Sequence, residues 1–201
     1  MLSLTKELEH SFFYKNREYE IDLSFDNVLR WYKLLEDMTF NPEEKAHIGF
    51  EMFFKACTWD ERLLVESLKS VSEYLQKRPY GGGKAEVSSK KYYSFTQDAE
   101  AIYASFMQDY HIDLIDMQGK LHWDKFIALF AGLTEKTYFK TIVSIRTRDT
   151  SDLKGASLTE FNELRENFEL DEYRTEEAHS SEANDIFNAL KQQAINEGRV
   201  K

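Results

Sequence analysis

Apolar residues recur along most of this chain at three- and four-residue intervals, the spacing of one face of a helix. Ser24 precedes Phe25, Val28, Leu29, Tyr32 and Leu35, which predicts a capped helix running to about Met38. Asn41-Pro42-Glu43-Glu44 combines an N-cap side chain, proline at the first helical position and acids in the first turn, and Ala46, Phe50, Phe53 and Phe54 follow on one face. Thr58-Trp59-Asp60-Glu61 reads as a capping box opening a long helix with Leu64, Leu68, Val71 and Leu75 on its stripe. Ser94-Phe95-Thr96-Gln97 is a second box, before a helix to about Tyr110 carrying Ala99, Ile102, Tyr103 and Phe106. After a connector, 111–120, the stretch with Trp123, Phe126, Ile127, Leu129, Phe130 and Leu133 is apolar over most of its girth, the pattern of a helix at the centre of a core. Thr134 caps the next predicted helix, with Tyr138, Ile142 and Ile145, ending near Arg148. Ser157-Leu158-Thr159-Glu160 is a third box, followed by Phe161, Leu164 and Phe168. A last amphipathic stretch places Ile186, Phe187, Leu190 and Ala194 together.

Only the N-terminal region departs from this period. Ser11–Tyr14 and Glu18–Leu23, joined by Lys15-Asn16-Arg17, read as a small β-hairpin. The fold class expected is therefore mainly α: a multi-helix, bundle-like domain with a small N-terminal hairpin. With 8 Gly and 2 Pro in 201 residues, the turns that a sandwich or barrel needs are missing.

Charge divides the chain. The formal net charge is −10. From Arg148 onward seven basic residues face thirteen acidic ones, so residues 1–148 read as the core domain and 149–201 as an acidic helical extension. The one basic patch is the loop around Pro79-Tyr80-Gly81-Gly82-Gly83, with Lys77, Arg78, Lys84, Lys90 and Lys91. An acidic body repels phosphate backbones and anionic membrane surfaces, so neither nucleic acid nor membrane is an expected partner. The N-terminus lacks the apolar core of a signal peptide, no long apolar run exists, and Cys57 is the single cysteine; together these predict a cytosolic protein without a disulfide.

Candidate chemistry is sparse. Gly81–Lys84 lacks the spacing of a phosphate loop. Cys57 has no base nearby, since His47 lies ten residues upstream on the same predicted helix. Asp109, His111, Asp113, Asp116, His122 and Asp124 form the densest polar cluster. They read as turn and capping groups of the connector; a metal-dependent enzyme is the alternative, because carboxylates and imidazoles are donors to divalent cations. The reading is of a non-enzyme without cofactor. The stripe Ile186, Phe187, Leu190 and Ala194 has the anchor spacing of helix-in-groove recognition, and is the candidate partner-binding site; docking on the chain's own core is the other use of such a stripe.

Several blocks resemble one family. Phe25-Asp26-Asn27-Val28-Leu29-Arg30-Trp31 is the first, and Tyr93-Ser94-Phe95-Thr96-Gln97-Asp98-Ala99 the second. Ile112-Asp113-Leu114, Leu121-His122-Trp123 and Ile145-Arg146-Thr147-Arg148 complete the set. Over about residues 15–148 the chain resembles the bacteriophage "gene product fifteen" family of siphophages and prophages of Gram-positive bacteria. The resemblance implies a tail-module protein encoded near the tape-measure gene, acting as a tail assembly chaperone in the cytoplasm of the infected or lysogenic host. Its implied partners are the tape-measure protein and a second assembly chaperone, with self-association left open. A structural tail component retained in the virion is the alternative.

Overall fold

The computed structural model describes residues 2–54, 60–77 and 92–170. Among them run two strands, β1 (Ser11–Tyr14) and β2 (Arg17–Glu20), and seven helices. These are α1 (Phe25–Glu36), α2 (Pro42–Phe53), α3 (Glu61–Leu75), α4 (Ala99–Tyr110), α5 (Trp123–Ala131), α6 (Tyr138–Thr147) and α7 (Ala156–Asn167). The mainly helical fold with an N-terminal hairpin is as the periodicity predicts.

Chain contacts separate two units. The first holds described residues 2–54, 60–77 and 118–126; the second holds 92–117 and 127–170. The chain passes from one to the other within α5, whose first turn belongs to the first unit.

In the first unit the hairpin closes through Lys15 and Asn16 alone, both at positive φ (46° and 62°), so the turn is two residues long and Arg17 already pairs with Tyr14. The helical core is assembled from Val28, Trp31, Tyr32 and Leu35 of α1, Ala46, Phe50 and Phe53 of α2, and Leu64, Leu68 and Val71 of α3. Gly49 lets α2 approach α1: a Cβ there would meet Trp31 Cζ3 at 2.4 Å. Trp123 and Phe126 of α5 join the same core, with Phe126 stacked on Phe25 (4.8 Å) and Trp123 edge-on to Tyr32 (5.7 Å).

In the second unit α4 and α6 are the main packed pair, and α7 lies against α6. Ser105, fully buried on α4, donates to Ala101 O (2.6 Å) and accepts the Phe139 N–H (3.1 Å). It thus satisfies one of the orphan amides at the start of α6. Tyr93, Phe95, Phe130 and Phe139 form an aromatic cluster with centroids 4.9–6.0 Å apart. Helix α7 has no buried residue.

Several predicted starts move. Asn41 and Glu44 make the full reciprocal box at 3.0 and 2.8 Å. The other predicted starts shift by a few residues. Asp60 caps α3, accepting the Leu63 N–H at 2.7 Å, while Thr58 lies outside the described residues. Ser94 Oγ accepts the N–H groups of Thr96 and Gln97, but this closes a separate turn, and α4 starts only after Asp98. Thr137, not Thr134, caps α6, and Gly155 stands at the N-cap of α7 in place of Ser157. Ser24 occupies the N-cap of α1, yet its hydroxyl makes no capping bond. The girth of α5 also differs from expectation: Trp123 and Phe126 are buried, whereas Ile127, Leu129 and Phe130 are partly covered and Ala128 is exposed.

Candidate functional site

The first unit contains a shallow polar cleft of about 170 Å³ lined by His10, Glu20, Asp22, Ser24, Lys120 and His122, among others. Its walls come from two crossing segments. Residues 21–25 pair backbone-to-backbone with 121–123, through Phe25 N–H to Leu121 O (2.9 Å) and Trp123 N–H to Leu23 O (2.7 Å). The side chains just beyond reinforce that crossing. Asp26 accepts the Gly119 N–H at 2.8 Å, and Asn27 donates to Asp22 O (3.0 Å) and Met52 O (2.8 Å). The motif blocks Phe25-Asp26-Asn27 and Leu121-His122-Trp123 are therefore one structural feature. Ser24 Oγ is buried beside the cleft without a hydrogen-bond partner among the described residues.

His122 in this wall is held at both ring nitrogens. Its Nδ1 accepts the Asp124 N–H (3.1 Å), and its Nε2 lies 3.1 Å from Glu9 O. These partners assign the proton to Nε2, which donates to the carbonyl. Since the N–H groups of Lys125 and Phe126 bond to His122 O, the residue is the N-cap of α5. Burial pushes its imidazole below the ordinary histidine value, against the opposing pull of the Glu9 carbonyl and Asp124. Asp124 in turn accepts the Tyr74 hydroxyl at 2.7 Å. Burial, and then that carboxylate, push the Tyr74 hydroxyl far above the usual phenol range.

A second charged arrangement lies in the other unit. Arg146 meets Asp98 through two parallel bonds of 2.7 and 2.8 Å, at 8% and 4% side-chain exposure. The guanidinium also donates to Phe168 O (2.6 Å) and Tyr92 O (3.2 Å). Asp98 further accepts the Ser94 N–H at 2.9 Å. This group pins the start of α4, the end of α7 and the segment at Tyr92 onto α6. Both residues lie inside motif blocks, but 48 positions separate them and neither block signals the other.

The structure disperses the acidic-histidine cluster. Asp109 accepts the Thr134 N–H (2.8 Å) and hydroxyl (3.2 Å). Asp113 accepts from Ile115 N–H, Asp116 N–H and the Tyr103 hydroxyl; desolvation raises its carboxyl, but these bonds outweigh it and hold the group below the usual range. His111 terminates α4 in the left-handed conformation (φ 54°). His122 and Asp124 serve α5 and Tyr74, as described above. Among the described residues no group of three His, Cys, Asp or Glu is placed to hold a metal ion. The stripe Ile186, Phe187, Leu190 and Ala194 lies outside the described residues, as do Cys57 and the basic loop from Arg78 to Lys91. Lys77 is described, with its ammonium 5.7 Å from the Tyr74 ring centroid. Among the described residues no helix is long and apolar enough to cross a membrane.

Fold and site together define a small helical protein whose polar clusters hold segments in place. The family model described as Bacteriophage Gp15 protein matches residues 4–170, and the chain belongs to that family. The match runs beyond the motif blocks in both directions, taking in the hairpin and α7. No curated protein and no solved structure matches this chain.

Proposed function

We propose that this protein is a tail assembly chaperone that binds the tape-measure protein while a long non-contractile phage tail is built. Membership of the phage family over residues 4–170 carries the reading. The surface is consistent with holding an apolar chain in solution. Leu4, Phe13, Met38 and Ile115 are exposed at 100%, 67%, 88% and 64%, on a protein of net charge −10. High like charge opposes self-aggregation of a protein that displays apolar side chains. The role needs no catalytic group, and works in the cytoplasm of the infected or lysogenic host.

Within this reading the stripe Ile186, Phe187, Leu190 and Ala194 grips a helix of the partner. Replacing Phe187 and Leu190 by Ser then abolishes co-purification with the tape-measure protein and leaves the melting temperature nearly unchanged. Each anchor contributes roughly 1.5–3 kcal/mol, so losing both weakens binding at least about a hundredfold. A large fall in melting temperature with binding retained would show that the stripe covers the chain's own core. Purified virions should lack the protein; stoichiometric presence there would identify a structural tail component.

A further inference from the structure

The imidazole of His122 uses each of its nitrogens for a different segment. Nε2–H holds the N-terminal arm through Glu9 O, and the bare Nδ1 caps α5 through the Asp124 N–H. Only the second bond requires the ring to be neutral, because a proton on Nδ1 turns an acceptor into a donor facing another donor.

We propose that His122 is an acid-sensitive cap: at neutral pH it closes the first turn of α5, and on protonation it releases that turn while keeping the N-terminal arm attached. This is independent of the chaperone reading.

The surroundings decide the direction. His10 stands edge-on at 5.5 Å, and Lys120 lines the same cleft, so further positive charge is unwelcome there. Glu20 and Asp22 are the acids that line the cleft, and Asp124, whose carboxylate is engaged by the Tyr74 hydroxyl, favours the imidazolium. His122 is 6% exposed, and its burial outweighs the pull of the Glu9 carbonyl and Asp124, favouring the neutral ring. Once charged, the ring also places a cation at the positive end of the α5 dipole. The Glu9 carbonyl bond becomes charge-assisted and persists. The turn that loosens carries Trp123 and Phe126, whose rings pack on Tyr32 and Phe25 in the core of the first unit. Acid therefore acts on packing and not only on a surface bond.

The test is an NMR titration of the full chain from pH 8 to pH 5, following the His122 ring nitrogens and amide exchange at Asp124. At pH 8 the ring should carry Nε2–H with a bare Nδ1. As the ring titrates, protection at Asp124, corrected for intrinsic exchange, falls about fivefold, the factor a lost cap is worth. In His122→Asn the amide oxygen accepts the same N–H without titrating, so protection stays level; in His10→Gln the fall persists. Titration of the His122 ring with Asp124 protection unchanged would overturn the proposal, as would the same fall in His122→Asn. The wild-type measurement decides the matter even if a variant does not fold.

Discussion

Arg146 and Asp98, 48 positions apart, form a bidentate ion pair almost fully removed from solvent, and the same guanidinium holds two backbone carbonyls, of Tyr92 and Phe168. A pair with every charge satisfied can be close to neutral in stability against an apolar replacement, but removing one partner strands the other. Asp98→Asn and Arg146→Leu should each cost about 3–5 kcal/mol in chemical denaturation. The double variant Asp98→Leu/Arg146→Leu should recover part of that loss. Single variants within about 1 kcal/mol of the parent would show that the pair is solvated.

Gly49 supports a different kind of prediction. A methyl group at this position would sit 2.4 Å from the Trp31 ring, which is itself buried. Gly49→Ala should destabilise by about 1–3 kcal/mol, despite alanine's better helix propensity. Combining it with Trp31→Leu should cost less than the sum of the two singles. Strict additivity of the two changes in urea unfolding would contradict the contact.

The Asn41–Glu44 box is exposed and local, so its contribution separates cleanly from packing. Asn41→Ala should lower stability by about 1 kcal/mol, and Asn41→Asp should restore most of it. Equal stability of the alanine and aspartate forms would count against the cap.

His122 also contributes to the dependence of global stability on pH. Its folded-state value is depressed below the unfolded one of about 6.5. The unfolded chain therefore takes up its proton first, and stability is fully present above that value. It is lost as pH falls from there through the folded value. Comparing unfolding free energies of the parent and His122→Asn between pH 7.5 and pH 5 isolates this contribution, because the carboxylates are common to both. The parent should lose more. Parallel curves would exclude a titrating cap.

What the sequence made legible was local. The Asn41-Pro42-Glu43-Glu44 start was readable because donor and acceptor lie within four residues. Other starts moved by up to four residues: the Thr134 hydroxyl is taken by Asp109, leaving Thr137 to cap α6, and the Ser94 hydroxyl closes a turn of its own, leaving α4 to start after Asp98. The polar cluster 109–124 was readable as turn and capping residues, whereas the role of His122 as a cap depended on Glu9, 113 positions away. The hairpin turn was one residue shorter than read, since Lys15 and Asn16 both take up positive φ and leave Arg17 in the strand.

The role proposed for this member of the Bacteriophage Gp15 protein family is to keep the tape-measure chain soluble. The most direct measurement is to express the tape-measure protein of the same phage alone and together with this chain, then measure its soluble fraction and its co-elution on size exclusion. The tape-measure protein should be insoluble alone and soluble in a co-eluting complex when this chain is present. An unchanged soluble fraction without co-elution, at confirmed expression of both chains, would contradict it.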